Sequence, residues 1–232
     1  MGAEYVERPI MVVVLKNAVF VHVPKNAGSA ISAALGGVDQ YWPMHVPWRC
    51  LEDEGKPGFG FIRNPWARMH SLYYFLTYSP HRHLQRVDPV AIRGMGFKRW
   101  LLEGANWMSN EPVDGQIWIR QNREYLPLRP GNTYKNVSRL AHHPLKIPPQ
   151  QRRPAMWWLD GLPPEQIGKV ESLDADLTAI GGLLRFPTKP VRRTNETRHK
   201  PHDWRAEYDS ETIEHVATYH ALDIEAGNYV WE

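Results

Sequence analysis

Apolar residues crowd both sides of Lys16-Asn17 in "PIMVVVLKNAVFVHV", which predicts two strands joined by a tight hairpin turn. The second run, Ala18 to Val23, is almost wholly apolar, as expected of a strand covered on both faces. Pro24 ends it. Gly28-Ser29 then opens a small-residue helix, "SAISAALGG", with Gly36-Gly37 placed to close it as a C-cap. After a loop rich in Trp and Pro comes a third strand, "FGFIR". Asn64 is positioned to cap the next helix, with Pro65 at its first position. Trp66, Met69, Leu72, Tyr73 and Leu76 recur at three- and four-residue spacing, so one face of that helix is apolar.

Further helices are expected near 92–103 and 114–126. From Pro127 to Pro164 the chain is proline-dense and rich in Arg and His. Residues 127–160 therefore read as an irregular insertion over the surface or a segment lining a substrate groove. Regular pattern resumes in "QIGKVESLDADLTAIGGLL", a short strand and a helix. Ser172 is the expected cap there, with Asp174 and Asp176 in the first turn where the helix dipole favours them. "SETIEHVATYHALDIEA" reads as one acidic amphipathic helix. The alternation of strands and helices predicts an α/β fold whose sheet is mostly parallel in its centre, in one domain over 1–232.

Composition narrows the class. A net charge of +3 is too mild to announce a nucleic-acid binder. A single cysteine, Cys50, excludes an intrachain disulfide framework and argues against a structural zinc site. The apolar runs are too short to span a bilayer, and "MGAEYVERP" does not resemble a signal peptide, so a soluble cytoplasmic protein is expected. Ten Trp are many, and Trp gathers both in cores and on surfaces that stack flat ligands.

Two turns carry the chemistry. In "VPKNAGSA" a glycine-containing loop joins a buried strand to a helix, so backbone N–H groups and the helix dipole converge on one spot. Lys25 adds a movable cation and Ser29 a hydroxyl. This is not a Walker loop: Lys25 precedes the glycine, and Ala30 stands where a magnesium-holding hydroxyl would be, which argues against ATP hydrolysis. A plain strand–turn–helix junction with a surface lysine would look the same. The second turn ends a strand on Arg63, with Ser71 eight residues on in the following helix; together they suit one phosphate group. A structural arginine and a helix serine are the alternative. Two such turns on neighbouring strands favour a ligand, because ligands of open α/β sheets gather at strand carboxyl ends.

Together these residues resemble a family. "VFVHVPKNAGSA" is similar to the 5′-phosphosulfate loop of sulfotransferases that use 3′-phosphoadenosine 5′-phosphosulfate (PAPS), and "FGFIRNPWARMHSLYYF" resembles their 3′-phosphate motif. The nearest likeness is to carbohydrate sulfotransferases of the heparan sulfate 2-O-sulfotransferase type. "YWPMHVPWRCLED", "IRQNREYL", "KVESLDADL" and "VRRTNETRHKP" match more weakly, while 127–160 and parts of 79–112 stay unmatched. The resemblance implies a P-loop-NTPase-like three-layer fold that binds PAPS and transfers its sulfuryl group to an acceptor hydroxyl, releasing PAP. It implies no metal, and as partner a hydroxyl-bearing glycan or small molecule rather than nucleic acid or membrane. Carried over, Lys25 contacts the phosphosulfate bridge, the backbone of Asn26, Ala27, Gly28, Ser29 and Ala30 cradles the 5′ side, and Arg63 and Ser71 hold the 3′-phosphate. Arg192, Arg193 and Asn195, in the late loop, reach the nucleotide or form a charged surface loop. Asn26 and Ala30 replace hydroxyl residues of the family pattern, which weakens the 5′-side hydrogen bonding.

Such a transfer needs a base, and His45 is favoured, since it falls where the family's histidine loop lies and titrates in a suitable range. Packing among Trp42, Pro43 and Trp48 is its other reading, and Glu52 is the substitute base. His22, within a strand, reads as a core or supporting residue. His81 with His83, and His142 with His143, show metal-like spacing without a visible third ligand. Two rival functions remain: a non-catalytic nucleotide- or glycan-binding module, and a P-loop kinase using ATP.

Overall fold

The computed structural model describes residues 12–36, 38–42, 45, 47, 48, 51, 55–78, 89–103, 153–192, 201 and 203–231. Glu52, Cys50, Arg193, Asn195, the histidines of 81–83 and 142–143, the helix expected at 114–126 and most of 127–160 lie outside them.

Five strands form one sheet in the order β3-β1-β2-β4-β5. Strands β1 (Val12–Leu15) and β2 (Val19–Val21) make the expected hairpin, registered Val12↔Val21 and Val14↔Val19. The N–H of Leu15 donates to the carbonyl of Ala18 at 2.8 Å, leaving Lys16 and Asn17 exposed at the tip. Strand β3 (Val38–Trp42) lies antiparallel to β1. Strand β4 (Gly58–Ile62) runs parallel to β2, and β5 (Ile167–Lys169) parallel to β4. Four strands thus share a direction and β1 alone is reversed. The segment 38–42 corrects the expectation of a loop: Asp39 and Gln40 deprive it of a β-branched run, and β1's free edge supplies its pairing partner.

Helices cover both faces. On one, Ile31 and Ala34 of α1 (Gly28–Ala34) and Leu177, Ile180 and Leu184 of α5 (Leu173–Leu184) bury Val13, Phe20, Phe59 and Phe61. On the other, Trp158 and Leu159 of α4 (Ala155–Leu159) pack on Val14, Val19, Val21 and Ile62. Full burial of one such side chain is worth about 1.5–3 kcal/mol. Helix α4 shows that 127–160 is not irregular throughout. A third cluster joins α2 (Pro65–Tyr78), α3 (Pro89–Leu102, kinked at Gly96) and α6 (Ser210–Tyr219).

Asn64 caps α2 as expected, its Oδ1 accepting from the N–H of Ala67 at 3.1 Å. That helix is buried on more than the one predicted face, since Arg68, His70 and Thr77 are buried along with its apolar residues. Three local details differ from the pattern. Helix α1 ends at Leu35 in an extended conformation, pairing with Thr188, so no glycine closes it. The Ser172 hydroxyl donates to Asp176 at 2.8 Å instead of capping α5, although Asp174 and Asp176 do occupy its first turn. The last predicted helix is two, α6 and α7 (Ala221–Gly227), broken at His220. Among the described residues no helix is long and apolar enough to cross a membrane.

Gly58 of β4 lies against a rigid neighbour: a Cβ there would fall 2.5 Å from the buried indole of Trp48 and 2.8 Å from Leu162. A Gly58→Ala substitution is expected to lower stability by about 1–3 kcal/mol through overpacking. The urea midpoint of unfolding checks it; an unchanged midpoint would mean that the Trp48 ring yields freely.

Candidate functional site

Strands β2 and β4 are parallel neighbours, so the turns that follow them leave the same edge of the sheet. The first turn is tightly wound. Lys25 (φ 67°) and Ala27 (φ 57°) both adopt the left-handed conformation, which costs a non-glycine residue about 1–2 kcal/mol each. Asn26 between them is buried and donates its Nδ2 to the carbonyl of Phe61 on β4 at 2.6 Å. Asn26 thus has a structural use where the family pattern has a hydroxyl. The N–H of Ile31 makes the first bond of α1, to Ala27 at 3.0 Å. The N–H groups of Gly28, Ser29 and Ala30 therefore have no acceptor within the helix. Ser29 is exposed and Ala30 buried. Gly28 is required by close approach: a Cβ there would lie 1.8 Å from the His22 ring.

The second turn clasps the first. Arg63 Nη1 donates to the carbonyl of Lys25 at 3.0 Å. Burial lowers the Arg63 pKa, while Glu171 and then Tyr229 pull it back up. Glu171 in turn accepts from the N–H of Asn64 and from the Tyr229 hydroxyl, each at 2.8 Å. The Lys25 ammonium sits 4.0 Å over the Phe75 ring of α2, one helical turn beyond the half-buried Ser71. Lys25, Arg63 and the Ser71 face of α2 are thus neighbours. Arg192 is exposed; the adjacent Val191 N–H donates to Asp174 at the start of α5, beside the end of β5.

His45 hangs from the same segment. Its Nδ1 lies 2.6 Å from the carbonyl of His22, three residues before Lys25. A carbonyl only accepts, so Nδ1 carries a proton in this contact. The ring meets His22 edge-on at 4.7 Å and Trp158 at 5.9 Å. His22 is buried and stacked on Phe20, which fits the supporting role expected of it.

The pattern missed what holds this edge together. Arg68 is fully buried and donates Nε to the carbonyl of Pro24 at 3.0 Å and Nη1 to that of Arg153 at 2.7 Å. Its pKa is lowered to about 10, with burial pushing it down most, Asp223 at 4.0 Å working to raise it and Arg63 adding to the lowering. Asp223 also accepts from the N–H groups of Ala155 and Met156 at 2.7 and 2.8 Å. A signal for Arg68 was present, since it lies on one helical stripe with Leu72 and Leu76 and so faces inward. Nothing local marks Asp223.

Comparison with protein-family models, with curated proteins and with solved structures finds no match.

Burial alone would raise the Asp223 pKa, but His220, Arg68 and the Met156 N–H together hold it below the ordinary carboxyl value. Its stabilisation is therefore present above the unfolded pKa of about 4 and lost as pH falls through the depressed folded value. Asp223→Ala is expected to lower stability by about 3 kcal/mol near neutral pH, by stranding two N–H groups and Arg68. Unfolding curves between neutral and acid pH check this: the wild-type advantage should shrink on the acid side, and a difference independent of pH would refute it.

Proposed function

We propose that this chain is a PAPS-dependent sulfotransferase of the P-loop-like fold, acting on an acceptor hydroxyl of a carbohydrate or small molecule. The observation that carries the reading is the contact between the two turns: the Arg63 guanidinium reaches the Lys25 carbonyl, so both cation-bearing turns stand at one sheet edge. Their chemistry fits the donor. The strained Lys25–Ala27 turn and the first-turn N–H groups of α1, which have no acceptor within that helix, suit the phosphosulfate end, and Arg63 with Ser71 suits a 3′-phosphate.

Bound there, PAPS would supply a sulfuryl group for transfer to the acceptor oxygen, with PAP as the other product. Lys25 places positive charge where the leaving phosphate gathers negative charge. His45 receives the acceptor's proton on Nε2, and the imidazolium that forms keeps its Nδ1–H on the His22 carbonyl. Arg192, Arg193 and Asn195 complete the reading as contacts to the nucleotide.

Thermal shift with the full chain tests the donor. 3′,5′-ADP is expected to raise the melting temperature more than AMP or ATP with magnesium. A largest rise with ATP and magnesium would favour a kinase instead. Arg63→Ala should weaken 3′,5′-ADP by roughly tenfold or more while barely changing AMP, as loss of a charged hydrogen bond predicts. Equal losses for the two ligands would remove Arg63 from the 3′ site.

His45→Ala should cut PAP release from PAPS, over a panel of hydroxyl acceptors, by roughly a hundredfold or more. Binding of 3′,5′-ADP should persist in the same variant. Full turnover in that variant would refute the base, and turnover absent in the wild type despite tight 3′,5′-ADP binding would favour a binding module.

A further inference from the structure

Lys25 is held at both ends. Arg63 donates to its carbonyl at 3.0 Å, and its ammonium lies 4.0 Å over the Phe75 ring. Its backbone is fixed in the left-handed conformation (φ 67°), which the surrounding contacts maintain. A lysine on its flexible four-carbon stem otherwise gives up rotamer freedom when it settles on a ligand. Here that freedom is already spent.

The ring is well placed to do this. Lys25 and Phe75 are both half-buried, and partial loss of water strengthens the attraction between a cation and a ring face. The helix that carries the ring is tied along its length. Asn64 caps the start of α2, the Trp66 indole donates to the carbonyl of Ile213 at 3.0 Å, and Arg93 donates to that of Thr77 at 3.0 Å. Phe75 follows Ser71 by four residues, so the two share one stripe of α2. The contact therefore draws the ammonium to the helix face that bears Ser71. A ring face also holds a cation without cancelling its charge as a carboxylate would, so this contact leaves the charge available to an anion.

We propose that Phe75 is a positioning residue for Lys25: its ring presets the ammonium for the 5′-phosphate side of the nucleotide, so that binding need not gather a loose side chain. The inference rests on the reading above for its ligand, a 5′-phosphorylated nucleotide, and not for the transfer step. A leucine would occupy much of the same space with no π face, and the ammonium would lose its guide.

The test uses the full chain and alters the ring's charge distribution with little change in its size. Phe75 is replaced during translation by its mono-, tri- and pentafluorinated analogues, and binding is measured by calorimetric titration. Affinity for 3′,5′-ADP should fall stepwise with fluorination, by roughly three- to tenfold at the pentafluoro ring. Affinity for adenosine 3′-phosphate, which lacks the 5′-phosphate, should stay constant. In a Lys25→Ala background the series should have no effect on 3′,5′-ADP, which isolates the pair. Phe75→Leu should weaken 3′,5′-ADP to a similar degree and Phe75→Tyr should keep it; the fluorinated rings, which preserve the packing, decide the matter should the leucine variant fail to fold. An affinity indifferent to fluorination overturns the proposal. So does one that rises with it, since the ring would then compete with the ligand. A loss shared equally by adenosine 3′-phosphate marks a change of packing and overturns it too. The stepwise fall without any release of PAP from PAPS supports the positioning role and removes the transfer reading alone, whereas a wild type that binds no 3′,5′-ADP removes both.

Discussion

A guanidinium with no exposed surface holds four parts of this chain in register. Arg68 projects from α2 and binds the turn after β2, the residue two before α4 and, through Asp223, helix α7. A leucine would fit the stripe it occupies, but the Pro24 and Arg153 carbonyls would then face an apolar neighbour. The buried charge is tolerated because its Nε and Nη1 meet carbonyl oxygens and Asp223 lies 4.0 Å away. Its pKa, though lowered to about 10, leaves it cationic at neutral pH. What it secures is position more than stability: the Lys25 turn, α4 and α7 cannot shift independently while it is in place.

The turn itself is under strain, and the strain is held from outside. Two left-handed non-glycine residues in three positions would relax in an isolated peptide. Here Asn26 is tied to the end of β4, Arg63 grips the carbonyl between the sheet and α2, and Gly28 lets the His22 ring fill the space under α1. The parallel pairing of β2 with β4 makes these ties possible, because it brings two strand ends side by side. The reversed β1 belongs to the hairpin on the other flank and leaves this edge clear.

Features set by neighbours in sequence were legible. The Lys16-Asn17 turn, the Asn64-Pro65 helix start and the acidic first turn of α5 each follow from a few adjacent residues. So did the adjacency of Lys25 and Arg63, because two strand-to-helix turns on one sheet converge. Features set by distant partners were not. Strand β3 exists because β1 offers an edge, Leu35 is extended because Thr188 pairs with it, and His220 breaks a helix whose pattern runs on. Arg153 looked like one basic residue among many in a proline-rich stretch. Its carbonyl accepts from Arg68, 85 residues earlier, and nothing adjacent in sequence marks it.

The distances in sequence that close this edge set an order of assembly. The β1–β2 hairpin needs only adjacent residues, whereas Arg68 meets Arg153 across 85 positions and Asn64 meets Glu171 across 107. Contacts of that span carry a high loop-closure entropy and form late. The hairpin is therefore formed before the edge that uses it, whereas β5, which joins β4 across 107 positions, docks along with that edge. In the finished protein the same asymmetry runs backward: detaching α7 strips Asp223 from Arg68 and slackens the Lys25 turn without parting a single strand. Amide exchange would sense this corner as a separate cooperative unit, one that breathes while the hairpin stays closed.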